Sequence, residues 1–229
     1  MKLTESILKR LIKEAIKEEE SKARGIAGLP DGVYVDVEKV EDSFVIRYVT
    51  EDRKNPSGEF GISGVLNMGP AKDNAIEPSE EESDGNEDAE PVEKLECLGA
   101  FEVDWVRVRP KGEGYAPLLY DIAMEIATLQ GGGLTSGRYS VADEAQRIWD
   151  YYLYNRTGPG GDVTVIQLDN EKDSFGDGVQ NDCIQNIARS TFTGDSWDTS
   201  PLSKVYRKQP VILRALGDKL RTYKFELNL

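Results

Sequence analysis

Apolar residues at Leu3, Ile7, Leu8, Leu11, Ile12, Ala15 and Ile16 recur at three- and four-residue spacings, with Lys and Glu between them. That period predicts an amphipathic helix within residues 1–24, ended by Gly25, Gly28 and Pro30. The period then changes to two. Val33, Val35 and Val37 alternate with polar residues, Glu41-Asp42-Ser43 makes a turn, Phe44 to Val49 is rich in strand formers, and Phe60 to Met68 follows the turn Asn55-Pro56-Ser57-Gly58. These segments predict an antiparallel meander. Leu98 to Val108 reads as a further strand, with Phe101, Val103 and Trp105 on one face and Glu102, Asp104, Val106 and Val108 on the other.

Helical spacing returns at 115–129, where Leu118, Leu119, Ile122, Ala123, Ile126 and Ala127 form a stripe that Gly131-Gly132-Gly133 stops. A short strand near Leu134 leads to a second helix from Ser140 to about Tyr154, with Val141, Ala145, Ile148, Trp149 and Tyr152 on one face. Asp162 to Leu168 reads as a strand, Pro210–Leu220 as a helix and Thr222–Leu227 as a strand, with irregular chain between Leu168 and Pro210. The order predicts an α/β (α+β) fold: a mixed, largely antiparallel central sheet flanked by helices, residues 30–229, with an N-terminal amphipathic helix. That helix either packs on its own domain or docks on a protein partner.

Charge changes this picture in one place. The 229 residues carry a formal net charge of -14, but the ten acids between Asp73 and Glu93 stand without Lys or Arg, which leaves 28 bases against 32 acids elsewhere. Residues 71–96 are therefore expected to be a disordered acidic insertion, too poor in large apolar residues to offset their ordering entropy. The body is near neutral and has no basic stripe, so neither nucleic acid nor membrane is an expected partner. No secretory leader or long apolar span is evident, which predicts a cytoplasmic protein.

Candidate chemistry is narrowed by the absence of His. Imidazole-based nucleophile systems, HExxH zinc sites and two-His iron sites are excluded. Cys97 and Cys183, far apart in sequence, are expected to be reduced and buried, and no metal site is expected. Asp169 to Asp177 has the acid spacing of a calcium loop, but Ser174 stands at its glycine position and Gln180 at its final glutamate, so a polar loop is expected.

The informative stretch is Val106-Arg-Val-Arg-Pro-Lys-Gly-Glu-Gly-Tyr-Ala-Pro-Leu-Leu-Tyr120, where a strand enters a glycine loop and a helix follows at once. Backbone N–H groups of such a loop can cradle a pyrophosphate. The Gly-Lys-Ser/Thr of a P-loop is missing, and Pro117 stands where a dinucleotide fingerprint needs its third small residue. The segment resembles motif A of the GNAT (Gcn5-related N-acetyltransferase) superfamily, read either as Arg109-x-x-Gly112-x-Gly114 or as Lys111-x-x-Gly114-x-Ala116. The second register is preferred because Leu118-Leu119 then meets the family's Leu pair. The second helix is similar to the family's motif B through Ala142, Ala145, Ile148 and Trp149, with Leu153-Tyr154 in the place of the family's Gly-Phe. Trp149 stands where the family has a tyrosine acid, and Tyr152, one turn on, is the substitute.

The resemblance implies a GNAT-like fold and transfer of an acetyl group from acetyl-CoA to an amine, on a small molecule or a peptide, within a ternary complex. Val106, Val108, Lys111, Gly112, Glu113, Gly114, Tyr115 and Ala116 would bind coenzyme A, Tyr152 would be the acid, and Glu102 or Asp104 would bind the acceptor or act as base. The opening helix resembles leader helices of tailed-phage proteins, which implies host cytoplasm or virion. A catalytically inactive GNAT-like structural or interaction protein, such as a phage virion component, is the alternative expectation.

Overall fold

The computed structural model describes residues 29–50, 63–71, 96–109, 111, 114–138, 140–168, 183, 199–223 and 226. The expected N-terminal helix, nearly all of the acidic insertion and the calcium-like loop lie outside these residues. The described chain is of mixed α/β class. Eight strands, β1 (Val33–Val40), β2 (Ser43–Thr50), β3 (Ser63–Pro70), β4 (Phe101–Arg109), β5 (Leu134–Thr135), β6 (Val163–Gln167), β7 (Lys204–Lys208) and β8 (Leu220–Tyr223), run in the sheet order β6-β7-β5-β4-β3-β2-β1-β8. Three α-helices accompany them: α1 (Tyr115–Leu129), α2 (Asp143–Asn155) and α3 (Val211–Leu216). Of the pairs with a defined register, β1–β2, β5–β7 and β6–β7 are antiparallel, whereas β1–β8 and β4–β5 are parallel.

The chain forms two compact units that interleave in sequence: 1–67, 106–123 and 210–229 in one, 68–105 and 124–209 in the other. In the first, β1 and β2 pair along their full length across the turn Glu41–Asp42, where Glu41 takes φ 55. Alternation puts Val35 opposite Tyr48 and Val37 opposite Ile46, all four buried. These apolar pairs are what the two-residue period foretells. Gly64 of β3 is required by close packing, since a Cβ there would lie 2.6 Å from the Tyr48 ring. The Tyr48 hydroxyl donates to the Tyr115 carbonyl at 2.6 Å and so ties β2 to the first residue of α1. Burial raises the Tyr48 pKa well above its ordinary value, with further contributions from Tyr115 and Asp121.

The second unit is built around the parallel start of β4 and β5, with Phe101 opposite Leu134 and Glu102 opposite Thr135. Gly132 packs directly against the chain at Gly99, whose carbonyl oxygen would be 1.9 Å from any Cβ at 132. Trp149 and Tyr152 of α2 form an aromatic cluster with Tyr206 of β7, the Trp149 and Tyr206 centroids lying 5.0 Å apart. Each of these rings is buried. Arg138 is wholly buried as well.

Among the described residues most elements match the period reading, and α1 has the expected bounds; the helix expected over Pro210–Leu220 spans only Val211–Leu216, and the strand expected over Thr222–Leu227 is Leu220–Tyr223. Three further departures have physical causes. β7, Lys-Val-Tyr-Arg-Lys, falls in the stretch expected to be irregular; its basic residues hide it, yet Lys204 and Lys208 are buried. The strand expected from Leu98 begins only at Phe101, because Cys97, Leu98 and Gly99 form a left-handed turn with φ 48, 58 and 69. Left-handed backbone costs about 1–2 kcal/mol per non-glycine residue, so this turn is held by its surroundings. The holding bond corrects the third expectation: Cys97 and Cys183 are not reduced thiols but form a disulfide, Cα–Cα 5.0 Å, across 86 residues of sequence. Both lie in an apolar cluster with Ala71, Ala100, Leu168 and Val205.

Candidate functional site

β4 and the turn after it carry most of the residues that the sequence singles out. β5 is only two residues long, so the β4–β5 register ends at Glu102, while β4 continues to Arg109. Along that continuation Val106 and Val108 are half-buried and Arg107 and Arg109 exposed. The simple alternation expected for this strand fails at Asp104–Trp105, where two successive side chains are exposed; Trp105, expected to share the face of buried Val103, is 47% exposed.

In the first unit, Lys111 is exposed in the turn that follows β4, and Gly114 takes φ 80 immediately before α1. A left-handed residue there favours glycine and turns the chain into the helix. Tyr115 is buried, Ala116 half-buried, and the first turn of α1 contains no acidic residue. An N-terminus of this composition does not repel an anion, and its amides are not already engaged by a carboxylate of that turn. The set Val106, Val108, Lys111, Gly114, Tyr115 and Ala116 thus lies at one strand end and one helix start. Gly112 and Glu113 lie outside the described residues.

The proposed acid and bases belong to the second unit. Glu102 is half-buried, and its carboxylate accepts the Arg138 backbone N–H at 2.6 Å. Asp104 is exposed. Tyr152 is 0% exposed, within the cluster of Trp149 and Tyr206, with the Arg156 guanidinium 5.4 Å from its ring centroid. Its position is that of a core aromatic.

Sequence reasoning passes over Arg138 altogether. Its guanidinium donates to the Ser136 carbonyl (2.9 Å), the Cys183 carbonyl (3.2 Å), Thr135 Oγ1 (2.7 Å), Ser136 Oγ (2.6 Å) and the Leu202 carbonyl (2.8 Å). Burial pushes its pKa down to about 10, against the opposing charges of Glu102 and Tyr206. An isolated arginine in Ser-Gly-Arg-Tyr gives no periodic signal; the only available one is that a basic residue there precedes a helix by several positions. Glu125 and Lys208 are the second such case. Their buried ion pair unites a polar position of α1 with the end of the unforeseen β7.

Among the described residues there is no group of His, Cys, Asp or Glu able to hold a metal ion, and no helix long and apolar enough to cross a membrane. Compared with protein-family models, with curated proteins and with solved structures, the chain has no match.

Proposed function

We propose that the chain is an acyl-CoA-dependent N-acyltransferase of GNAT type, transferring an acetyl group from acetyl-CoA to an amine. The observation that carries this reading is the course of β4. It pairs in parallel with β5 at Phe101 and Glu102, continues to Arg109, and is followed by a turn that reaches a left-handed glycine, Gly114, at the head of α1. In this reading the exposed β4 end carries the pantetheine arm, and the left-handed glycine before α1 suits the phosphates. This supports the GNAT-like fold as well as the activity.

In this reading the turn from Lys111 to Ala116 holds the pyrophosphate through backbone N–H groups and the Lys111 charge, and the β4 backbone near Val106 and Val108 orients the thioester carbonyl. Glu102 or Asp104, directly or through water, takes the proton from the acceptor ammonium. The amine nitrogen then bonds to the carbonyl carbon, the carbon–sulfur bond breaks, and the departing thiolate takes, through water, the second proton that the nitrogen gives up as it becomes an amide. Coenzyme A supplies the activated acyl group. The test is release of free thiol from acetyl-CoA over a panel of small amines, polyamines and peptides; no thiol release above hydrolysis with any acceptor counts against the activity.

One observation favours a second reading, a GNAT-like protein without catalysis that serves as an interaction or structural component. Trp149 occupies the position of the family's acid, and its substitute Tyr152 is fully buried among aromatic rings. Coenzyme A binding without transfer is the outcome that this reading expects.

A further inference from the structure

We propose that the Cys97–Cys183 disulfide is a redox latch that sets the position of the Glu102 carboxylate; the inference rests on the acyltransferase reading for what Glu102 does, and on the second unit alone for its geometry. Two connections lead from the bond to Glu102. The first is the chain itself: Cys97 opens the left-handed turn Cys97-Leu98-Gly99, with φ 48, 58 and 69, which enters β4 at Phe101, one residue before Glu102. The turn is also closed by the Ala100 N–H donating to the Cys97 carbonyl at 3.0 Å, so opening the disulfide removes one of its restraints and lets two non-glycine residues in this costly conformation relax. The second passes through Arg138. The Cys183 carbonyl accepts Arg138 Nη1 at 3.2 Å, and the Arg138 backbone N–H donates to Glu102 Oε2 at 2.6 Å.

Arg138 is 0% exposed, so each acceptor of its guanidinium has no water to replace it. Loss of the Cys183 carbonyl would leave Arg138 Nη1 without that acceptor and favour a shift of the guanidinium, whose main-chain N–H is one restraint on Glu102. Arg138 is thus a positioning residue for Glu102, and the disulfide acts through it. When the latch opens, the Sγ–Sγ bond breaks, the two sulfurs gain two electrons and two protons from a dithiol, and that dithiol closes into its own disulfide. In a reducing compartment a bond of this kind is transient and suited to sensing.

The test uses the full chain, air-oxidised and then treated with dithiothreitol, with the thiol state read by mass after alkylation. In the oxidised protein the Arg138 amide proton, donated to Glu102 Oε2 at 2.6 Å, is expected to resonate downfield, and Glu102→Gln is expected to shift it upfield. Reduction is expected to move the wild-type resonance toward the Glu102→Gln position and to speed exchange of that amide roughly fivefold, the factor that one net hydrogen bond represents. Cys183→Ser, checked for fold by circular dichroism, is expected to show the reduced behaviour in both buffers. An Arg138 resonance and exchange rate unchanged by complete reduction overturn the latch, as do two free thiols in the oxidised protein or a bond that the dithiol does not open in the native state. None of these readouts contains coenzyme A. A latch that responds in a protein that binds no acetyl-CoA therefore separates the failure of the acyltransferase reading from the failure of this one.

Discussion

Lys208 Nζ lies 2.5 Å from Glu125 Oε1, and the two side chains are 3% and 0% exposed. The pair joins the C-terminal half of α1 to the end of β7, where Thr128 Oγ1 also accepts the Lys208 backbone N–H at 3.0 Å. Removing one partner leaves the other charge buried, which costs about 3–5 kcal/mol. Lys208→Met is therefore expected to lower stability by about that amount in urea unfolding, and Lys208→Met with Glu125→Leu to recover most of it. A single variant as stable as the wild type would show that the pair is not closed to water.

Asp162 immediately precedes β6, next to this pair. Arg156 donates to both of its carboxylate oxygens at 2.6 and 2.5 Å, and Lys208 lies 3.7 Å away. Burial alone raises the Asp162 pKa, but the hydrogen bond and charge of Arg156 and the charge of Lys208 hold it below its ordinary value. A depressed folded pKa means stability that is complete above the unfolded value of about 3.9 and is lost as pH falls through the folded value. Asp162→Asn should thus flatten the acid side of a plot of melting temperature against pH and leave its slope near neutrality unchanged. An identical acid limb in the variant refutes the assignment.

Gly132 and Gly131 make an internal comparison. A Cβ on Gly132 meets the Gly99 carbonyl at 1.9 Å, backbone that cannot swing aside, whereas a Cβ on Gly131 meets nothing within 4 Å and is opposed only by φ 100. Gly132→Ala is expected to destabilise by about 3 kcal/mol or more, and Gly131→Ala by about 1–2 kcal/mol. Equal losses in chemical unfolding would mean that the close approach of 132 to 99 is absent.

Helices α1 and α2 and the β1–β2 hairpin were legible because their signal is local. The α1 stripe from Leu118 to Ala127 and the pairs Val35–Tyr48 and Val37–Ile46 are written as periods of apolar residues. β7 was not legible, since its period is masked by lysines whose burial depends on distant partners: Glu125 is 83 residues from Lys208. The disulfide was hidden for the same reason, as two cysteines 86 residues apart carry no sequence sign that they meet. Of the candidate site, the strand, turn and helix order was readable. That Tyr152 is a core ring, and that Glu102 is held by Arg138, follows only from packing.

Glu102→Gln removes a base and keeps the side chain's shape and its carbonyl acceptor for the Arg138 N–H. If Glu102 deprotonates the acceptor, kcat should fall about 100-fold or more, with the affinity for acetyl-CoA unchanged. A variant with full activity would shift that role to Asp104 or to water.

In the proposed function the turn between β4 and α1 binds coenzyme A, and isothermal titration of the full chain with acetyl-CoA is the decisive measurement. Saturable binding at one site per chain is expected, weakened about tenfold or more by Lys111→Glu, a charge reversal at an exposed position. Absence of binding by wild-type protein whose circular dichroism shows it folded, or equal binding by the Lys111→Glu variant, would contradict the account.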